Sequence, residues 1–142
     1  MIRVTRRYRF AASHRLHSDR FSEEENREIF GKCNNPYGHG HDYEIDVTAR
    51  GPVDERTGRA FDPAALDKLV DREIVSAFQH KNMNVDIPAF AQTVPTTENL
   101  AIELGRRLAA SWPAAFPGEW PVLEKIRIRE TDRNIFELTV NS

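Results

Sequence analysis

From His39 to Arg50, the side chains of His39, His41, Tyr43, Ile45, Val47 and Ala49 share one parity of an alternating run, and no other pattern constrains the chain as much. In an extended strand, residues two apart point to the same side. Two imidazoles at one end therefore share a face with the apolar residues that follow, and the strand runs out of a polar site into a core. The segment before it, Gly31-Lys-Cys-Asn-Asn-Pro-Tyr-Gly38, is a Pro- and Gly-rich loop that carries the only cysteine, Cys33. His39 and His41 have the spacing of metal ligands, although a pair of surface histidines has the same spacing. A lone cysteine is compatible with a small buried residue as well as with a reactive thiol.

Ile2 to His14 alternates in the same way, Val4, Arg6, Tyr8 and Phe10 against Arg3, Thr5, Arg7 and Arg9, which predicts a half-buried strand. His14 falls on the parity of Val4 to Phe10 at the strand's end. Ser22-Glu-Glu-Glu25 forms a capping box ahead of a short helix ending near Gly31. Asp62-Pro63 pairs an N-cap with proline at the first helical position, and Leu66, Val70, Ile74 and Phe78 recur at four-residue spacing, predicting a helix from Pro63 to about Phe78. Gln79 and His80 follow at once; a histidine there suits a functional site or a cation interacting with the helix dipole.

Thr96-Thr97-Glu98 opens a second long helix, Asn99 to about Trp112, with Leu100, Leu104 and Leu108 on one stripe and Pro113 as its end. Leu123 to Thr131 and Ile135 to Asn141 alternate about Asp132-Arg133-Asn134, a terminal hairpin. Glu130 shares parity with Ile126 and Ile128, so it points inward, where a carboxylate needs a partner: an arginine or a bound ligand. The order ββααββ, with a short helix in the first connection, predicts an α+β fold. It consists of a four-stranded antiparallel sheet with two long helices packed on one face.

The 142 residues suit one domain spanning 1–142, and 39% hydrophobic content is adequate for its core. A net charge of -2, with 30% charged residues of both signs, provides no basic field for nucleic acid or an anionic membrane. No apolar run approaches the ~20 residues of a membrane helix. The start lacks the apolar core of a signal peptide, and one cysteine cannot form an intrachain disulfide, so a cytoplasmic location is the expectation. Taken together, His14, His39 and His41 can supply three imidazoles to a zinc ion and leave a fourth position open, the catalytic pattern.

Ala12-Ser-His-Arg-Leu-His17, Phe30-Gly-Lys-Cys-Asn-Asn-Pro-Tyr-Gly-His-Gly-His-Asp-Tyr43, His80-Lys-Asn82, Thr96-Thr-Glu-Asn99 and Glu130-Thr-Asp132 together resemble the 6-pyruvoyltetrahydropterin synthases. They also resemble the related 6-carboxytetrahydropterin synthases of the queuosine route. The resemblance runs almost from end to end. It implies His14, His39 and His41 as zinc ligands, leaving His17 without a ligand role, and Glu130 as the carboxylate that grips the pterin ring, with Thr96 and Thr97 beside it. It implies Cys33 as the base, working with His80. It also implies a T-fold in which trimers close a barrel and two trimers stack into a homohexamer, with active sites between subunits.

The implied reaction takes a small-molecule pterin, 7,8-dihydroneopterin triphosphate, moves protons within its side chain and expels triphosphate. A 6-carboxytetrahydropterin product and a pterin-binding homologue without turnover are the alternatives. The chain departs from the family at Gln79, where an aspartate usually precedes the histidine. Glutamine accepts a hydrogen bond but brings no charge to stabilise an imidazolium. Asp42 and Asp86 are the candidate replacements.

Overall fold

In the computed structural model of the protein, which describes residues 1–140, two long strands form the centre of the sheet: β1 (Ile2–His14) and β2 (His39–Gly51). They pair antiparallel along their whole length, in a register that sets His14 opposite His39 and Ala12 opposite His41. The connection between them carries the helix Glu23–Phe30. Its N-cap Ser22 and Glu25 form the reciprocal capping box, with two otherwise unpaired amides satisfied.

The sheet has five strands in the order β3-β1-β2-β4-β5, where the alternation predicts four. The extra strand, β3 (Lys81–Asn82), is two residues long and pairs parallel to Ala12 and Ser13 of β1, so the sheet is not wholly antiparallel. Two residues cannot show a period, which is why alternation does not find it. The terminal hairpin is β4 (Val122–Arg129) and β5 (Ile135–Thr139); Asn141, the predicted end of the last strand, lies outside the described residues.

Asp62 caps the helix Pro63–Val70, accepting from the Ala64 N–H at 3.0 Å. This helix continues through a π-helical stretch, Asp71–Val75, before its last turn, Ser76–Phe78. Thr96 caps the long helix Thr97–Ala115, accepting from the Asn99 N–H at 3.2 Å. That helix begins two residues before the predicted Asn99 and passes through Pro113 to Ala115. A proline near a helix end removes only one hydrogen bond and does not break the last turn. Gly105 faces the sheet; a Cβ there would lie 2.6 Å from Leu138 Cδ2, so the glycine permits the close approach.

Both helices cover one face, where Tyr43, Ile45, Val47, Leu66, Leu104 and Ile126 are fully buried. The opposite face is charged. Glu44 and Asp46, which alternation turns toward solvent, are buried there under arginine stems: Arg7 contacts both at 2.8 Å and Arg129 reaches Glu44 at 3.2 Å. No helix of the described residues is long and apolar enough to cross a membrane.

Candidate active site

The paired ends of β1 and β2 converge with the start of the Thr97–Ala115 helix. His14 is buried, and its Nδ1 lies 2.9 Å from the carbonyl oxygen of Pro95, just before the helix cap. A carbonyl only accepts, so Nδ1 carries the proton and Nε2 is left with its lone pair. His41 Nε2 lies 3.2 Å from His14 Nε2. Tyr43 closes the back of the cluster, fully buried, with its hydroxyl 3.4 Å from His14 Nδ1 and its ring 5.5 Å from that of His41.

Cys33 reaches this cluster because its loop is strapped to the residues after β1. The Leu16 N–H donates to the Cys33 carbonyl at 2.6 Å, and the Asn34 side-chain amide donates to the Leu16 carbonyl at 2.8 Å. Asn84 clamps Arg15 from the other side, accepting its N–H at 2.7 Å and donating to its carbonyl at 2.9 Å. The ligand atoms of His14, Cys33 and His41 consequently lie within 4.8 Å of one another, the metal-competent group among the described residues. His39 stands beside them, exposed, its ring 4.6 Å from that of His41 but outside this tight group.

The donor set fits zinc. Two Nε2 atoms 3.2 Å apart match the edge, about 3.3 Å, of a tetrahedron with Zn–N bonds of about 2.0 Å. Burial lowers the pKa of His14 and of His41, keeping both neutral as ligands must be, with Glu130 acting in the opposite sense. Burial also raises the Cys33 thiol, and the Glu130 charge raises it further, so within one chain the thiol stays protonated at neutral pH. It becomes a base only when a cation is brought to it.

Glu130 points inward as its parity predicts, its side chain 12% exposed, with Oε1 3.2 Å from His41 Nε2. Its other oxygen accepts from the Thr97 hydroxyl. Thr96, by contrast, spends its hydroxyl on the helix cap.

His80 is not in this cluster. It is exposed, holds a left-handed backbone at φ 59°, and lines a second pocket of 320 Å³ with Ser13, His41, Asp42 and Lys81. A non-glycine residue at positive φ is uncommon and concentrates at functional sites. Gln79 turns away from the imidazole and accepts the Ala11 N–H at 2.7 Å. Of the two candidate carboxylates, Asp86 is used by the Asn82 N–H at 2.9 Å, whereas Asp42 shares the pocket of His80.

Tyr43, Asn34 and Asn84 escape notice in the sequence as site residues. The parity of Tyr43 with the two histidines is the one signal that points to any of them.

Fold and site together define a class: an α+β protein whose single sheet ends in a metal-competent cluster of imidazoles, a thiol and a carboxylate. Within that class the chain belongs to the 6-pyruvoyl tetrahydropterin synthase family, whose model matches residues 3–141. It is 48% identical over 132 residues to the 6-pyruvoyl tetrahydrobiopterin synthase of Poecilia reticulata, covering 93% of this chain and 86% of the relative. To that of Homo sapiens it is 45% identical over 132 residues, covering 93% and 87%. The solved structure of Caenorhabditis elegans 6-pyruvoyl tetrahydropterin synthase superposes with a TM-score of 0.86 at 40% identity, over 97% of this chain and 94% of that one. The Plasmodium falciparum 6-pyruvoyl tetrahydropterin synthase structure, at 15% identity and TM-score 0.61 over 96% of each chain, shares the fold.

Proposed function

We propose that this chain is a zinc-dependent synthase that converts 7,8-dihydroneopterin triphosphate to 6-pyruvoyltetrahydropterin with release of triphosphate. The observation that carries the reading is the convergence of His14, Cys33, His41 and Glu130 at one strand end, in a chain nearly half identical to relatives named for this activity.

His14, His39 and His41 would hold the ion, with His39 exposed and its ring 4.6 Å from that of His41. The chemistry zinc supplies when bound is Lewis-acid polarisation of the side-chain oxygens of the substrate, which acidifies the adjoining C–H. Cys33 Sγ takes that proton. Glu130 accepts hydrogen bonds from the pterin ring N–H and amino group, an arrangement suited to a carboxylate, while Thr97 orients it. The proton taken from C1′ and the C1′ hydroxyl proton pass to C6 and N5, so the ring rises from dihydro to tetrahydro as C1′ becomes a carbonyl. Loss of the C2′ proton with cleavage of the C3′–O bond then releases triphosphate, and the enol left behind becomes the methyl ketone.

His80 would come to Cys33 from an adjacent copy, with the T-fold barrel of trimers and a homohexamer as the assembly. The open sheet supports this: among the described residues β5 is an edge strand with no outer partner, and on its outer side β1 pairs with β3 at Ala12 and Ser13 alone. A cytoplasmic location accords with this role.

The test is to incubate zinc-loaded protein with dihydroneopterin triphosphate and identify the product by mass. The pyruvoyl product is expected, and it should disappear in Cys33→Ala. A 6-carboxytetrahydropterin product would reassign the reaction. Pterin binding with no turnover would make the chain a binding homologue.

A further inference from the structure

The imidazole cluster opens on one side into a cleft of 660 Å³, whose wall includes Arg15, His17, Glu23, Arg27, Lys32 and His39. Three permanent cations face one carboxylate, in a chain whose net charge is -2. The one ion pair inside the cleft is loose, Arg27 to Glu23 at 3.9 Å between two exposed side chains. Among the described residues Lys32 makes no ion pair. Arg15 uses its Nε–H on the Asn34 carbonyl at 3.1 Å, which orients the guanidinium and leaves its terminal N–H groups available. Cations held around a concavity, with at most one loose carboxylate partner, form an anion site in waiting.

Position tells which anion. His39 belongs both to this cleft and to the imidazole cluster, and Lys32 and Asn34 flank Cys33 in the chain. The cleft therefore begins where the reacting part of a substrate would end. The neutral pterin end is served elsewhere, by Glu130, whose negative charge repels phosphate. The volume lies within the roughly 300–1,000 Å³ of small-molecule sites.

We propose that Lys32 and Arg27, with Arg15, bind the polyphosphate tail of the substrate in this cleft and hold the leaving group beside the imidazole cluster. The proposal rests on the pterin synthase reading for the identity of the substrate, but the anion site can be tested without it. Lys32 and Arg27 are exposed, so replacing them leaves the core intact.

The experiment compares wild type with Lys32→Ala, Lys32→Arg and the Lys32→Ala/Arg27→Ala double variant, all as zinc-loaded full-length protein. Inorganic tripolyphosphate and unphosphorylated dihydroneopterin are the two probes, and affinity for each is read by calorimetry. Loss of one charge-assisted contact to phosphate is expected to weaken tripolyphosphate about tenfold or more, and the double variant more, with Lys32→Arg close to wild type. KM for dihydroneopterin triphosphate should rise in parallel, while dihydroneopterin affinity and zinc content stay unchanged.

Tripolyphosphate affinity equal in wild type and the double variant overturns the cleft assignment, whatever happens to the pterin. Wild type that binds tripolyphosphate through Lys32 and Arg27 but not dihydroneopterin upholds the anion cleft and overturns the pterin synthase reading.

Discussion

Gln79 Oε1 accepts the backbone N–H of Ala11 at 2.7 Å, and the N–H of the adjoining His80 donates to the carbonyl of the same Ala11 at 2.7 Å. Both polar backbone groups of Ala11 are thus satisfied by one turn, and that turn holds His80 in its left-handed conformation. The glutamine at the position of the family aspartate works as a backbone clamp here, and among the described residues Asp42 is the carboxylate that lines the pocket of His80.

Gln79→Asp is therefore expected to give no rise in kcat, because the shorter side chain is directed at strand β1 and not at the imidazole. Loss of the hydrogen bond should cost about 1 kcal/mol, lowering Tm by roughly 3–5 °C for a chain of this size. Asp42→Asn should lower kcat and shift the pH–rate profile without changing Tm. An increase of kcat in Gln79→Asp would show that position 79 does act on His80.

Zinc content separates the two ligand sets that the site permits. His39→Ala should lose the ion by more than the roughly 10–100-fold that removal of an outer-shell partner costs, whereas Cys33→Ala should keep it and lose turnover. Metal analysis after dialysis decides; zinc kept in His39→Ala and lost in Cys33→Ala would make the thiol a ligand.

Glu130→Gln should weaken dihydroneopterin binding by about tenfold or more, since an amide puts a donor where the ring presents its own donors. Zinc content should change little. Thr97→Val should weaken binding less, because it removes the orienting hydroxyl and leaves the carboxylate. Equal pterin affinity in wild type and Glu130→Gln would leave Glu130 only its bonds to Thr97 and His41.

Stability should fall on the acid side through Glu103. Arg106, at 2.7 Å, holds this carboxylate below its ordinary range, with Arg107 adding to the effect, and its side chain is only 7% exposed. A depressed folded pKa stabilises the fold above the ordinary value of about 4.3, and that contribution is lost as pH falls through the folded value. Glu103→Gln should lower unfolding free energy by about 1–2 kcal/mol at pH 7, with a shallower decline below pH ~4. Urea melts at pH 7 and at pH ~3.5 measure both; parallel curves for wild type and variant would remove Glu103 as a source of acid lability.

By itself the sequence determined the parity of His14, His41 and Glu130, the capping box at Ser22, the N-cap at Asp62 and the two long helices, because each arises between residues a few positions apart. Alternation aims a side chain at a face and a cap satisfies the next turn's amides, whatever the rest of the chain does. Only the tertiary structure decided which of those side chains meet. The antiparallel register of β1 and β2 brings His14 and His41 together, backbone bonds across the Leu16–Cys33 loop bring in the thiol, and the hairpin carries Glu130 to Thr97. The same holds for β3, too short to have a period, for Glu44 and Asp46, buried by arginines from β1 and β4, and for Gln79, whose partner lies 68 positions away on another strand. Such contacts depend on loop closure and strand register, and no local pattern encodes either.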